Sequence, residues 1–307
     1  MRVALSMPPD EGPRLAALFA AALPDAEIVD AAVHAARADY VVCGHRDEAL
    51  FDRQPAPKAV FTFSAGVGHL LSLPNFPAAL PLVRLEDAGM AAQMIRYTLA
   101  VALRVVTRFD VYARQQREGR WTQHPPRAPA SLAAGVLGVG AIGGGIARAF
   151  AAQGFCVRGH SRSGRAITGV ATYAGDDELD AFFSGLDIVV AVVPLTDATR
   201  GILNRHHLAL LADGAHLVNI GRGGLLVDDD LLALLDEGKL GGATLDVFQQ
   251  EPLPADHPFW THPGVVVTPH VSGLTMPDEA VAQIAAKIAR LERGLPVTGV
   301  VDRARGY

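Results

Sequence analysis

Three short stretches carry residue types that could act together on a carbonyl. They are Asn219-Ile220-Gly221-Arg222-Gly223, Leu245-Asp246-Val247-Phe248-Gln249-Gln250-Glu251-Pro252, and Thr268-Pro269-His270-Val271-Ser272-Gly273. Each follows a Val/Ile/Leu-rich run that predicts a strand, and the C-terminal strand ends of an open α/β sheet border its ligand crevice. Reducing a ketone takes an electron pair at carbon and a proton at oxygen. His270 is a side chain that can hold and give a proton near neutral pH. A carboxylate beside it, Glu251, would fix its tautomer and favour the protonated ring. Arg222 could pair with a substrate carboxylate and polarise the carbonyl. Taken singly, each has a plainer reading: a histidine after a strand caps or packs, and a glutamate before proline is solvated. Their order behind a dinucleotide motif is what joins them.

That motif is Gly138-Val139-Gly140-Ala141-Ile142-Gly143, a G-x-G-x-x-G between a predicted strand and a predicted helix. Gly138 would make the tight turn and Gly140 would let a pyrophosphate approach the backbone. Gly143 would let the helix sit close to the strand, while the helix start at Ala141 and Ile142 offers N–H groups and partial positive charge. The next strand ends in Arg158-Gly159-His160-Ser161-Arg162-Ser163-Gly164-Arg165, without the acid that would bind a ribose 2′-hydroxyl. Arg162 could fork onto a 2′-phosphate, with Ser161 and Ser163 donating to it. NADP(H) is therefore the expected cofactor, with NAD(H) still open and a merely solvated basic turn as the plainer alternative.

The elements that must position these residues are legible as alternating patterns. Strands are predicted at 3–7, 27–29, 40–43, 59–63 and 82–85, then at 135–139, 155–160, 188–193, 216–220, 243–247 and 265–268. Helical patterns over 14–23, 142–153, 229–237 and 278–291 intervene, and such alternation implies parallel sheets of βαβ units. Gly154 and Gly238 stand where left-handed helix ends are expected, and Pro277 with Asp278 and Glu279 suits a helix start. The polar, proline-rich segment 117–130 reads as a loop ahead of the glycine motif. The expected organisation is α/β with two Rossmann-like or flavodoxin-like parallel-sheet domains around a cleft. Residues 1–98 plus 276–307 would form a substrate domain, and 99–275 a dinucleotide-binding domain.

Composition narrows the function. The chain has 307 residues, half of them hydrophobic, 19% charged, with a formal charge of −5. It can bury a core, and it lacks the basic excess of a nucleic-acid binder. Cys43 and Cys156 are too few for a disulfide framework and fit a reducing cytoplasm. The charge-free run 128–147 contains Pro129 and several glycines, so it is not read as a membrane span, and the N-terminus lacks a secretory signal's apolar stretch. His206-His207 and His257…His262 show no carboxylate or cysteine at suitable spacing, so no metal is expected. Trp121 and Trp260 are read as packing or interface residues, and Trp260 could line a pocket.

Taken together, the sequence resembles the D-isomer-specific 2-hydroxyacid dehydrogenases, and within them the branch that reduces glyoxylate and hydroxypyruvate. The likeness runs through residues 65–70 (AGVGHL), 83–90 (VRLEDAGM), the glycine motif, Pro194-Leu195-Thr196, the three stretches above and 301–307 (VDRARGY). It implies His270 as general acid/base, Glu251 as its hydrogen-bond partner, and Arg222 on the substrate carboxylate and carbonyl. It also implies backbone N–H groups of Val67 and Gly68 on that carboxylate, with Val193, Pro194, Ile220, Gly221 and Asp246 along the cofactor. Domain closure, a homodimer and a small 2-keto or 2-hydroxy acid substrate belong to the same implication. The sequence departs from the branch at Cys43-Gly44-His45-Arg46-Asp47, where the branch has Trp before His-Pro-Pro, so an aromatic pocket wall is missing. Two alternatives stay open: an NAD-dependent dehydrogenase of a bulkier hydroxy acid, and a non-catalytic dinucleotide-sensing scaffold.

Overall fold

A computed structural model describes the chain except residues 34–36, 65 and 304–307 and the side chain of His69. Of the stretches that carry the family likeness, Ala65 and the last four residues lie outside the described residues. In chain order the elements are β1 (Arg2–Ser6), α1 (Gly12–Ala22), β2 (Glu27–Asp30), β3 (Tyr40–Cys43), α2 (Leu50–Arg53), β4 (Ala59–Thr62), α3 (Gly68–Leu71), β5 (Leu82–Val83), α4 (Met90–Val106) and α5 (Phe109–Arg117). There follow β6 (Ala133–Leu137), α6 (Ala141–Ala152), β7 (Cys156–Ser161), β8 (Ala171–Ala174), α7 (Leu179–Phe183), β9 (Ile188–Ala191), α8 (Arg205–Ala209), β10 (Ala215–Asn219), α9 (Asp228–Asp236), β11 (Leu240–Leu245), β12 (Val265–Val267) and α10 (Pro277–Glu292).

Two compact units result, Met1–Met90 with Thr275–Tyr307, and Ala91–Leu274. The first holds a parallel sheet in the order β2-β1-β3-β4-β5. That is the flavodoxin-like winding. Its strands β3 and β4 are buried along their whole length, which is why they read as unbroken apolar runs rather than as alternation. The last helix, α10, returns to this unit. Val281, Ile284 and Ile288 enter the same core as Leu5, Phe19 and Phe61, each contributing roughly 2 kcal/mol of apolar burial.

The second unit holds a parallel sheet in the order β12-β11-β10-β9-β6-β7-β8. The order runs outward in both directions from β6 and β9, which makes the pair β6/β9 the point where the winding reverses. Helix α6 buries Ile146, Ala147 and Phe150 against β6 and β7. The left-handed Gly154 ends it, and Gly238 likewise follows α9.

The division between units falls at the start of α4, not at 98/99. Met94, Val101 and Ala102 on that helix belong to the core of the second unit, so the helix goes with it whole. Just before it, Asp87, Ala88 and Gly89 have φ of 79°, 46° and 79°. Such a left-handed run is strained at the two non-glycine positions. Edge strand β8 escaped the sequence reading because ATYA is half exposed and lacks an apolar run.

A buried histidine gives this unit a pH signature. His216, on β10, is 6% exposed and hydrogen-bonds Thr244 on β11 (Nε2 to Oγ1, 2.9 Å). Burial pushes its imidazole down to about 4, with Asp110 opposing that and Arg104 adding to it. Between that value and the ordinary value near 6.5 the unfolded chain binds the extra proton, so stability rises with pH. The contribution is complete above pH ~6.5 and is lost as pH falls toward 4, at most about 3 kcal/mol. Urea unfolding of wild type and His216→Gln from pH 7.5 to 4.5 checks this. A shallower acid loss in the variant is expected, and parallel profiles would refute the assignment.

Candidate active site

The residues that the sequence singles out in the second unit all follow strands of its sheet. Gly138 follows β6, Ser161 ends β7, Val193 and Pro194 follow β9, Ile220 to Arg222 follow β10, Asp246 to Glu251 follow β11, and His270 follows β12. They therefore share the C-terminal edge, where a doubly wound sheet binds its ligands.

The glycine motif has the form a dinucleotide needs. Gly138 has φ of 104°, open to glycine and costly for other residues. A Cβ at Gly143 would lie 2.0 Å from the Gly138 carbonyl oxygen, so the helix packs onto the strand turn only with hydrogen there. A Cβ at Gly140 would meet no protein atom within 4 Å, which leaves that backbone approachable. Gly140 caps α6, whose first residues, Ala141 and Ile142, are exposed and half-buried. The turn after β7 is tied by Arg165 N–H donating to Ser161 Oγ (3.3 Å), and it presents Arg162 and Ser163 as exposed residues. The residues present fit a dinucleotide pyrophosphate, and the exposed Arg162 and Arg165 of that turn fit a further phosphate better than a bare hydroxyl.

Beside this edge, His270 and Glu251 are paired, Nδ1 to Oε2 at 2.7 Å. The other oxygen, Oε1, accepts the Phe248 N–H at 3.0 Å, so the carboxylate is held from two sides. An ionised carboxylate only accepts, which makes Nδ1 the donor and leaves Nε2 as the ring's second functional atom. The His270 backbone is left-handed (φ 54°) and is fixed there by its N–H to Asp246 O (2.9 Å) and Thr268 O (3.0 Å). Backbone strain of this kind is a common mark of a functional position.

Asp246 braces the loop that carries His270. It is fully buried, and its carboxylate accepts from Thr268 Oγ1 (2.6 Å), Val271 N (2.9 Å) and Ser272 N (2.9 Å). Thr268 Oγ1 is in turn 2.7 Å from the Tyr97 hydroxyl on α4. Burial raises the Tyr97 phenol, so it stays a neutral hydrogen-bonding group. Nothing along the chain marks Tyr97, which looks like any aromatic on a helix face.

Arg222 leaves β10 through a loop braced by buried Asn219. Its Nδ2 donates to Arg222 O (3.0 Å) and its Oδ1 accepts from Gly221 N (3.2 Å). Arg222 Nη1 donates to Gly221 O at 2.6 Å. The residue is exposed overall, yet desolvation by surrounding protein pulls its guanidinium down while the Glu251 charge pulls it up. A Cβ at Gly223 would fall 1.8 Å from the Phe248 carbonyl carbon, so this loop lies directly on the one that carries Glu251. Arg222, Glu251 and His270 thus form one cluster. Ile220 and Gly221 are buried, and Val193 is half-buried.

In the first unit, Val67 and Gly68 sit at the start of α3, after β4. Cys43 is buried at the end of β3, its thiol pushed up to about 11 by burial and donating to His45 O (2.9 Å). Arg46 pairs with Glu48 (3.1 Å) and donates to Ser72 (2.6 Å).

The paired histidines need correction. The fold supplies the carboxylates that linear spacing concealed: Asp180 for His206 and His207, Asp228 for His257, and Asp236 for His262. The partners of His206 and His262 are 26 residues away in sequence.

Comparison with known proteins agrees with this geometry. A family profile described as D-isomer specific 2-hydroxyacid dehydrogenase, NAD binding domain, matches residues 99–272. A Serratia proteamaculans protein named glyoxylate/hydroxypyruvate reductase A is 43% identical over 275 residues, 88% of each chain. Among solved structures, a Xanthobacter autotrophicus D-isomer specific 2-hydroxyacid dehydrogenase in complex with NADPH and MES superposes with a TM-score of 0.94 at 36% identity, covering 100% of this chain and 99% of that one. An NADPH-dependent glyoxylate/hydroxypyruvate reductase from Sinorhizobium meliloti, in complex with NADP and sulfate, gives 0.93 at 37% identity with the same coverage. The chain belongs to the D-isomer-specific 2-hydroxyacid dehydrogenase family.

Proposed function

We propose that this chain is an NADPH-dependent reductase of small 2-keto acids, glyoxylate and hydroxypyruvate foremost, yielding 2-hydroxy acids. The observation that carries the reading is the His270–Glu251 pair at 2.7 Å, on the same sheet edge as the glycine motif and beside Arg222. The names of the Serratia and Sinorhizobium relatives support the substrate class.

NADPH, when bound, supplies the hydride for the keto carbon. His270 Nε2 gives a proton to the carbonyl oxygen, while Glu251 holds Nδ1 and so fixes which nitrogen faces the substrate. The Arg222 fork binds the carboxylate and draws charge toward the developing alkoxide. Gly138, Gly140, Ala141, Ile142 and Gly143 bind the pyrophosphate, and Ser161, Arg162 and Ser163 the 2′-phosphate. Val193, Pro194, Ile220, Gly221 and Asp246 flank the remainder of the cofactor. A carboxylate-binding role for the N–H groups of Val67 and Gly68, and the first unit's role as substrate domain, rest on the family likeness.

The same reading makes the protein a cytoplasmic homodimer with no nucleic-acid partner. Exposed Leu103, Phe109 and Tyr112 beside a groove lined by Ala100 and Ala113 favour a second copy as partner. Among the described residues no helix is long and apolar enough to cross a membrane.

The test is a panel of 2-keto acids assayed with NADPH and NADH, following absorbance of the reduced nicotinamide. Turnover of glyoxylate or hydroxypyruvate with NADPH favoured is expected. Gly44 in place of the branch's tryptophan makes larger 2-keto acids the informative remainder of the panel. No turnover with any member would defeat the reading.

A further inference from the structure

On the second unit, distant in sequence from the catalytic stretches, Asp180 on α7 meets His206 and His207 on α8. Asp180 Oδ1 lies 2.8 Å from His206 Nε2 and 3.6 Å from His207 Nε2, and the three candidate ligand atoms all fall within 4.8 Å of one another. A zinc-class ion with legs of about 2.1 Å spans tetrahedral edges of about 3.4 Å, a length those two distances bracket.

The tautomer of His207 sets this group apart. Its Nδ1 is 2.6 Å from the Ile202 carbonyl oxygen, which can only accept, so Nδ1 carries the proton. In the uncharged ring, Nε2 then turns a lone pair toward the Asp180 carboxylate, acceptor facing acceptor. The other two histidine–aspartate pairs are wired the opposite way. His257 Nδ1 accepts from Phe259 N–H (3.2 Å) and His262 Nδ1 from Gly264 N–H (3.1 Å), which makes each Nε2 an ordinary donor to Asp228 and Asp236. A ring N–H held by a backbone carbonyl, with the opposite nitrogen presented outward, is how proteins orient a metal-binding imidazole. His207 is also held rigid, stacked on buried Phe183 with centroids 4.9 Å apart and planes 21° off parallel. Asp180 and His206 are open to solvent, so an ion can enter.

The geometry points to a binding site for one divalent first-row transition ion of the zinc class, held by Asp180, His206 and His207. Two imidazoles and one carboxylate suit that class, where calcium and magnesium prefer all-oxygen sites. The ion clips α7 to α8 and leaves a fourth position for water. The proposal does not depend on the reductase reading, because the ligands are separate from Arg222, Glu251 and His270.

Full-length, tag-free protein is stripped with chelator, desalted and titrated with ZnCl2 by calorimetry, alongside Asp180→Asn and His206→Ala. Both changes are at exposed side chains. One saturable ion per chain is expected, with a raised unfolding temperature. Either substitution should weaken binding by at least about tenfold, since loss even of an outer-shell partner costs 10–100-fold. Wild type without a saturable site would overturn the proposal, the Asp180–histidine contacts then being simple ion pairs. Equal binding by all three proteins would overturn it too, placing the ion elsewhere on the chain.

Discussion

Replacement of His270 by alanine is expected to cut kcat by about 10²–10⁴-fold while leaving NADPH affinity unchanged. The reasoning is local. Glu251 is held by Phe248 N–H and by the ring, so the imidazole has one fixed orientation and one nitrogen left for the substrate. Of its neighbours, Arg222 stays charged and the Asp246 carboxylate is occupied by three donors, which leaves the imidazole as the group suited to give a proton there. Position 270 is left-handed, however, and alanine tolerates that less well than asparagine. His270→Asn keeps the backbone conformation and removes the acid. Steady-state turnover of glyoxylate with both variants, beside cofactor binding followed by nicotinamide fluorescence, separates chemistry from backbone. Loss in both with binding retained is the expected result. Retained turnover in either would remove His270 from the chemistry.

Arg162→Ala is expected to raise KM for NADPH about 10–100-fold and to change KM for NADH by less than a few-fold. A hydrogen bond to a charged group contributes about 1.5–3 kcal/mol, and each 1.4 kcal/mol is a factor of ten. The residue is exposed on the turn after β7, where an acid would stand in an NAD-preferring chain, and only NADPH carries the extra phosphate. Ser161 and Ser163 should retain part of the preference. Equal losses for both cofactors would show that Arg162 supports the turn rather than the phosphate.

The site was unevenly legible. Gly138, Gly140 and Gly143 could be read because their spacing is a backbone requirement, and such requirements are written locally. The placement of Arg222, Glu251 and His270 at one edge could be read because each follows a strand, and parallel strands bring their C-terminal ends together. The brace beneath them could not. Asp246 looks like any acid after a strand, and Tyr97 lies more than a hundred residues before its partner Thr268. The histidine clusters misled for the same reason, because spacing along the chain says nothing of a carboxylate delivered by another helix.

What the sequence determined by itself was periodicity and punctuation: unbroken apolar runs for strands buried on both faces, glycine at left-handed helix ends, and the glycine motif. These are short-range consequences of side-chain shape and backbone freedom. Only the tertiary structure decided that α4 goes with the second unit, that Asp246 serves as a buried strut, and that Asp180 faces His206 and His207. Those outcomes depend on which surfaces pack together, and packing is settled by the whole core at once rather than by any one segment.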